Sequence, residues 1–494
     1  MYAQLPQAFP ATVSILAIVT AGACIYIVYQ SVFSPLASFP GPLAAKLSKV
    51  WRAYGMYKGT WHRDIVELHR KYGPVVRIGP NELSVADPEA FRQIYSVSKT
   101  FRKSASYAVA QGSRPFDLVN ERNEKKHGAQ RKLVARPYSM DSTKRFEPAI
   151  DVLLDSLLHK LDDFAKSSQV FDLGFWVQLY AFDVIGTVSF NKPFGFLFSG
   201  SDNGLFERLQ RAMNSFAWVM HAGWFLSLHQ NLIMPIFGNQ LAANDRNGYF
   251  FEFAKHEVEK RKDQQREGIL GQLLQAQALK GQPNDLDITF MMTSNVFAGS
   301  DTTATAMQAV FLNLLRSPRV LAKLRTDLEA RGTGSSNGRV SSAEAEASPY
   351  LQAVIYEGMR INPSVPLVLD RDVPPEGMTI GDRFIPGGTV VGTSPWVIHR
   401  VKEVWGPDAE QFRPERWLEE KGNGELKRFF FAFGAGTRTC IGRHISWLEI
   451  EKLIASLVMR YDFKFADDAK ITERSGALVI LRGFRVQITR RESR

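Results

Sequence analysis

The chain has 494 residues, of which 45% are hydrophobic, 12% aromatic and 22% charged. That mix excludes a disordered, collagen-like or disulfide-stapled chain, and the length suits one large enzyme domain with an appendage, or about two or three ordinary domains. The formal net charge of +11 suits nucleic acid, an anionic membrane surface or an acidic protein partner, and does not choose among them. Only two cysteines occur, Cys24 and Cys440. A disulfide framework and a zinc site of several cysteines are therefore excluded, and any chemistry at Cys440 is that of a lone thiolate.

No Asp, Glu, Lys or Arg occurs from Met1 to Ala45. Within that stretch Pro10 to Tyr29 is almost wholly apolar, and about 20 such residues suffice to cross a bilayer as a helix. Tyr26 and Tyr29 fall where an interfacial aromatic belt lies. The next charges, Lys46, Lys49, Arg52 and Lys58, are all basic, which puts the rest of the chain on the cytoplasmic side. A cleaved signal peptide ending near Ala21-Gly22-Ala23 is the rival reading. It lacks a basic residue before the apolar run, and the scarcity of cysteine does not look secretory. The expected organisation is a short lumenal N-terminus (1–9), a transmembrane anchor (10–30), a proline-rich hinge (31–45) and one large domain (46–494). Pro35, Pro40 and Pro42 stiffen the hinge and stop the helix.

Gly55 to Tyr72 has the pattern of a helix. Pro74 to Val85 reads as a hairpin turning at Gly79-Pro80-Asn81, and Pro88 to Tyr95 as a short helix. Arg145 to Leu328 is mostly 3.6-periodic and hence helical. Arg331 to Ser342 is a Gly/Ser-rich surface loop. A helix, short β segments between Pro366 and Gly392, and another helix after Gly442 follow. Ala477–Ile480 and Phe484–Ile488 are expected to form a terminal hairpin. The fold class is mainly α with small sheets, an α+β domain.

The segment Phe433-Gly434-Ala435-Gly436-Thr437-Arg438-Thr439-Cys440-Ile441-Gly442 is the most informative. Its glycines let the backbone turn sharply and a flat group lie close. A cysteine before a helix has its thiolate favoured by the dipole and by free amides. Taken alone, a buried structural cysteine fits as well. The ten-residue pattern, however, resembles the heme-thiolate loop of the cytochrome P-450 monooxygenases. Two further motifs of that family stand in order before it: Glu357-Gly358-Met359-Arg360, and Phe412-Arg413-Pro414-Glu415-Arg416-Trp417. The resemblance implies the cytochrome P-450 fold, heme b, an axial thiolate from Cys440, and a buried structural network of Glu357, Arg360 and Arg416.

Leu286 to Leu315 is a long helical pattern with Ala298-Gly299-Ser300-Asp301-Thr302-Thr303 at its centre. Glycine there costs about 1 kcal/mol relative to alanine. The plain reading is a weak core helix. The functional one is that Ala298 and Gly299 leave a groove over a flat cofactor, while Thr302 bonds back to a carbonyl and opens the helix to water. The resemblance makes Asp301 the proton source and Thr302 the alcohol that holds waters on the oxygen side. It also assigns the heme carboxylates to Arg438, Arg371 and Arg131. The last stands in His127-Gly128-Ala129-Gln130-Arg131, where His127 replaces the family's commoner tryptophan; a surface histidine is its alternative reading. Phe433, Gly434 and Gly442 belong to the cofactor-binding loop.

The same resemblance implies NADPH as electron source through the microsomal NADPH–cytochrome P-450 reductase, with cytochrome b5 as a second donor, since no nucleotide-binding glycine motif occurs in this chain. Arg443, Lys421, Lys427 and Arg428 are the candidate reductase contacts. No nucleic acid is needed to explain the charge. Phe216 to Phe237, with Trp218, Met220, Trp224 and Phe225, is expected to lid a pocket for a lipophilic substrate or simply to pack. The overall texture resembles fungal secondary-metabolism members near the pisatin demethylase group, which implies a terpenoid or polyketide-type substrate and an endoplasmic reticulum location. Hydroperoxide rearrangement or peroxide use, and a non-enzymatic heme sensor, are the alternatives.

Overall fold

The computed structural model describes residues 8–97, 101–112, 114–238, 248–260, 268–333, 338–419 and 424–491. Residues 1–7 of the expected lumenal segment, four residues of the Gly/Ser-rich loop and Lys421 lie outside them.

The apolar N-terminal run is a helix (α1, Ala8–Val28) that continues through a π-turn to Phe33 and is long and apolar enough to cross a membrane. Ile15, Leu16, Ile18, Val19 and Ile25 are all exposed on it. The proline stretch behind it is not loose. Leu36 and Phe39 are buried in the body, and the fully buried Arg77 donates to Gln30 O and Oε1, Ser34 Oγ and Leu36 O. Orphaning such a guanidinium is costly. On the reading of α1 as the anchor, deleting Met1–Val28 should release the protein from membranes with its heme content intact. Deleting Met1–Phe39 should also cost folded yield. Carbonate extraction and heme titration of the two truncations check this, and firm membrane retention of the shorter deletion would rule out α1 as the sole anchor.

Helices α2 (Leu43–Leu47), α3 (Lys49–Lys58) and α4 (Trp61–Tyr72) follow. The single helix expected over Gly55–Tyr72 is thus two, broken at Gly59, which sits at φ 85° with no room for a Cβ beside Arg474. Strands β1 (Val75–Gly79) and β2 (Glu82–Val85) make the expected hairpin. A four-stranded sheet, β1-β2-β7-β4, is completed from far along the chain by β4 (Arg371–Asp372) and β7 (Val390–Gly392).

The helical half includes α5 (Glu124–Val134), α6 (Glu147–Ser167), α7 (Leu173–Phe190), α8 (Leu205–Val219) and α9 (Asp285–Leu315), then α10 (Pro349–Ile361) and α11 (Arg443–Arg460). One core joins α6, α7, α9 and α11 through residues such as Leu154, Phe182, Met307 and Leu453. A second joins α3, α4 and the β1–β2 hairpin. Helix α7 is apolar all round because it is buried on nearly every side. Helix α9 crosses it antiparallel, held by Gln308 Nε2 donating to Gly174 O at 2.8 Å.

The terminal hairpin does not form as expected. Strand β10 (Val479–Arg482) pairs with β9 (Thr472–Ser475), whereas β11 (Arg485–Arg490) pairs with β8 (Tyr461–Phe465) and β3 (Phe171–Asp172). Gly483, at φ 76° and hard against Lys470 O, turns the chain from one sheet into the other.

Candidate active site

Cys440 lies three residues before α11, in a loop that its own backbone closes by donating to Phe433 O at 2.8 Å. Gly434 and Gly436 hold φ 68° and 64°, and a Cβ on Gly436 would strike Tyr95 O at 2.4 Å. Gly442 is the N-cap of α11. Cys440 is an exposed residue, yet enough protein surrounds its side chain that burial pushes the thiol up. The amides of Gly442 and Arg443 and the charges of Arg131 and Arg443 act against burial. An exposed cysteine, free amides and nearby guanidiniums together suit a thiolate bound to an electrophile.

Around this loop the protein gathers basic side chains. Arg131 donates to Thr439 O at 2.8 Å, so α5 braces the loop directly. Arg438 makes a fork to Glu124 on the same helix, with Nη2 to Oε1 at 2.6 Å, and its Nη1 is buried with no acceptor among the described residues. Arg371, on β4, is buried; its Nη1 donates to the carbonyl of Asp370 at 3.0 Å, and its guanidinium lies over the Tyr95 ring. His127 is buried, which removes the surface-histidine reading. Burial, then Arg438, Lys103 and Arg131, push its pKa down to about 3, so it is neutral with one N–H to donate. Lys103 bridges to Arg371 through backbone, and its ammonium is held far below its usual pKa by burial and by Arg371 and Arg438. Five basic side chains thus converge, with Asp117, Glu124 and Glu121 the nearby carboxylates. Lys103 and Glu124 have no spacing signal that would find them.

The network behind the loop is fully buried. Glu357 accepts from Arg360 Nε and Nη2, both at 2.8 Å, from Arg416 Nε at 2.9 Å, and from Trp417 Nε1 at 2.8 Å. Arg360 also donates to His399 O and Ala409 O, each at 2.6 Å. His399 carries the network to the loop. Its Nε2 accepts from Phe431 N at 2.8 Å, so its Nδ1 holds the proton and donates to Arg360 O at 3.0 Å. Burial and Arg360 keep this histidine neutral.

On α9, Thr302 Oγ1 donates back to Ala298 O at 2.6 Å, and Ser364 Oγ donates to Thr302 O at 2.9 Å. Thr303 meets Ser446 of α11 at 2.9 Å, tying this helix to the one that follows Cys440. Ala298 is exposed within an otherwise buried stretch. Gly299 is turned elsewhere: its Cβ would meet Ile185 Cδ1 of α7 at 2.7 Å. Its missing side chain serves the α7–α9 crossing, so of the two residues only Ala298 is left exposed on this helix. Asp301 is buried and faces α7, where Gln178 Nε2 donates to its Oδ1 at 2.7 Å. Burial raises its pKa to about 6 against the opposing pull of Gln178. Asp301 and Thr302, adjacent in sequence, therefore point about 100° apart.

The cytochrome P-450 family model matches residues 39–487. Cytochrome P-450 monooxygenase hepC of Aspergillus oryzae is 53% identical over 471 residues, 91% of each chain. A pisatin demethylase of Fusarium vanettenii is 35% identical over 475 residues, covering 94% of this chain and 91% of the relative. The monooxygenase cicH of Emericella nidulans is 33% identical over 450 residues, 88% and 90% of the two chains.

The family implies heme, which needs an axial ligand, donors for two carboxylates and a low wall beside the ring. The exposed Cys440, the cluster of basic side chains with Arg438 Nη1 unpartnered among the described residues, and Ala298 on α9 fit those needs in turn. Matched along nearly its whole length and furnished with residues that fit the cofactor, the chain belongs to the cytochrome P-450 family and is a monooxygenase of its fungal branch.

Proposed function

We propose that the protein is a membrane-anchored monooxygenase of the endoplasmic reticulum, facing the cytoplasm, that oxidises a lipophilic intermediate of terpenoid or polyketide type. Cys440 would ligate the heme iron as a thiolate, and Arg131, Arg371, Arg438 and His127 would hold the heme carboxylates. A thiolate-ligated heme supplies activation of O2 and transfer of one oxygen atom to the substrate. The observation that carries this reading is the surplus of basic side chains beside Cys440, with one guanidinium nitrogen left without an acceptor among the described residues.

Asp301 holds a proton at its carboxyl below about pH 6 and passes it toward the Thr302 hydroxyl. Because the carboxyl faces Gln178, this transfer needs a side-chain rotation or a bridging water. The Thr302 hydroxyl, already turned back on Ala298 O, orients water on the open side of α9. Electrons come from the NADPH-dependent reductase, with cytochrome b5 as an additional donor. Arg443, Lys427 and Arg428 are exposed near the Cys440 face and meet the reductase's acidic surface.

Substrate lipophilicity is supported by the segment after α8. Trp218 packs on Phe225 and on Tyr57 of α3, and Met220 is buried. Trp224, 65% exposed, shares an open apolar surface with Leu228, Leu232, Ile236 and Phe237. Such an apolar surface suits a lipophilic substrate.

The test is a reconstitution with reductase, using as substrate the metabolite that accumulates when the gene is deleted. Thr302→Ala should keep heme content and substrate binding while diverting NADPH into hydrogen peroxide. Asp301→Asn should instead slow total NADPH use by about 10²–10⁴-fold, the usual contribution of a general acid. Wild-type turnover should also decline as pH rises through about 6, where Asp301 loses its proton, and Asp301→Asn should lack that decline. Tight coupling in Thr302→Ala would remove this threonine from the relay and favour a peroxide-using enzyme.

A further inference from the structure

Helices α3 and α4 meet at one close point. A Cβ on Gly55 would lie 2.9 Å from the Trp61 ring, so only glycine allows the approach. At this meeting point lies a cleft of about 340 Å³. Its α3 wall is built from Trp51, Tyr54 and Lys58, on one helical face at spacings of three and four. Its α4 wall carries Trp61, Asp64 and Glu67, with Lys71 one turn beyond.

The lining has a specific chemistry. Trp51 and Trp61 stand edge to face at 5.9 Å. Tyr54 is 60% exposed, and Trp61 is 1% exposed with its indole N–H lacking any acceptor among the described residues. Asp64 accepts from Thr60 Oγ1 at 2.8 Å and lies 3.4 Å from Lys58 Nζ, and Glu67 pairs with Arg70. Two carboxylates and two ammonium groups thus share a cleft whose exposed rings are those of Trp51 and Tyr54, with Trp61 buried behind them. That set suits neither a simple cation nor a simple anion, and it matches a zwitterion whose positive end has no N–H and sits against ring faces.

The position of the cleft supplies the second argument. Tyr26 OH of α1 donates to Leu47 O at 2.9 Å, which pins the end of α2 to the anchor helix. Trp51 follows one turn later. Leu43, Val50, Tyr54 and Tyr57 are all exposed on this part of the body. On the reading of α1 as the anchor, on which this inference rests, the cleft stands at the level of the lipid head groups.

We propose that the α3–α4 cleft binds the head group of a choline phospholipid. The trimethylammonium lies against the rings of Trp51 and Tyr54 and near the carboxylates of Asp64 and Glu67. The phosphate meets Lys58 and Lys71. The site fixes the rotation of the catalytic body on the membrane, which a single anchor helix leaves free.

The full-length holoprotein in detergent, offered equal amounts of phosphatidylcholine and phosphatidylglycerol, tests this by native mass spectrometry. One phosphatidylcholine should be retained in about tenfold preference, as expected for a cation against aromatic faces with two carboxylates nearby. Trp51→Ala should abolish the preference. Asp64→Asn, which leaves the packing alone, should reduce it several-fold, with heme content unchanged in both. Equal retention of the two lipids, or a preference untouched by both variants, would overturn the site and leave these rings as an interfacial belt only. Displacement by soluble glycerophosphocholine as effective as by the lipid would overturn the membrane source. Membrane extraction of the α1 deletion is scored separately, so a wrong anchor and a wrong cleft give different results.

Discussion

Cys440→Ser is expected to abolish the long-wavelength Soret band of the reduced, CO-treated protein, and product formation should fall to background. Serine preserves the shape of the loop, because the bonds that build it are backbone: Cys440 N to Phe433 O, and Arg131 to Thr439 O. What it removes is the anionic sulfur. The Gly442 and Arg443 amides and the Arg131 and Arg443 charges that favour a thiolate cannot ionise an alcohol at neutral pH. Cys24 sits in α1 and cannot substitute. Heme should be retained in part, since Arg371, Arg438, Arg131 and His127 are untouched, so loss of the band and loss of cofactor are separable by pyridine hemochrome assay. An unchanged spectrum in Cys440→Ser would eliminate this cysteine as the ligand.

The cysteine loop is legible in the sequence because its requirements are local. Glycines at fixed offsets, a cysteine before a helix and an arginine two residues earlier all act through adjacent backbone. Glu357 and Arg360 are similarly legible, being one helical turn apart on α10. The residues that complete the site come from elsewhere and have no pattern of their own. His399 links the network to the loop solely because folding brings the carbonyl of Arg360 and the amide of Phe431 to its two nitrogens. Gln178 reaches Asp301 from a different helix, and Glu124 reaches Arg438 from far upstream.

Gly299 illustrates a different limit. A glycine in a helix announces that something approaches closely, but not from which side. Ala298 and Gly299 are about 100° apart around α9, so they cannot both face a cofactor squarely. The side is fixed only by how α9 rotates against α7, and there Ile185 occupies the place of the missing Cβ. The sheets fail for a related reason. The β1–β2 hairpin is announced by its turn, whereas β2 with β7 and β3 with β11 pair across hundreds of residues, and their partners are short enough to carry little signal.

Glu357→Gln should be the most damaging substitution outside the cofactor loop. The native carboxylate takes five N–H groups: two from Arg360, one from Arg416, one from Trp417 and the backbone amide of Arg413. Glutamine is nearly the same size, so no cavity forms, but it replaces one acceptor oxygen with a donor and removes the negative charge. Two guanidiniums, Arg360 and Arg416, would then stay buried without a counter-ion, apart from the half-buried Asp408 beside Arg416. Breaking a buried pair in this way costs about 3–5 kcal/mol, a large share of the roughly 5–15 kcal/mol that holds a domain folded. The damage should reach the site, because Arg360 positions His399, which holds Phe431 at the start of the cysteine loop. The expected result is a heme-containing yield reduced at least tenfold and a lower urea midpoint for whatever protein is recovered. Asp408→Asn is the matched control. It removes a carboxylate that is half-buried and 3.2 Å from Arg416, and should cost no more than about 1 kcal/mol. If Glu357→Gln purifies with full heme and an unchanged midpoint, the network is not what holds the loop in place.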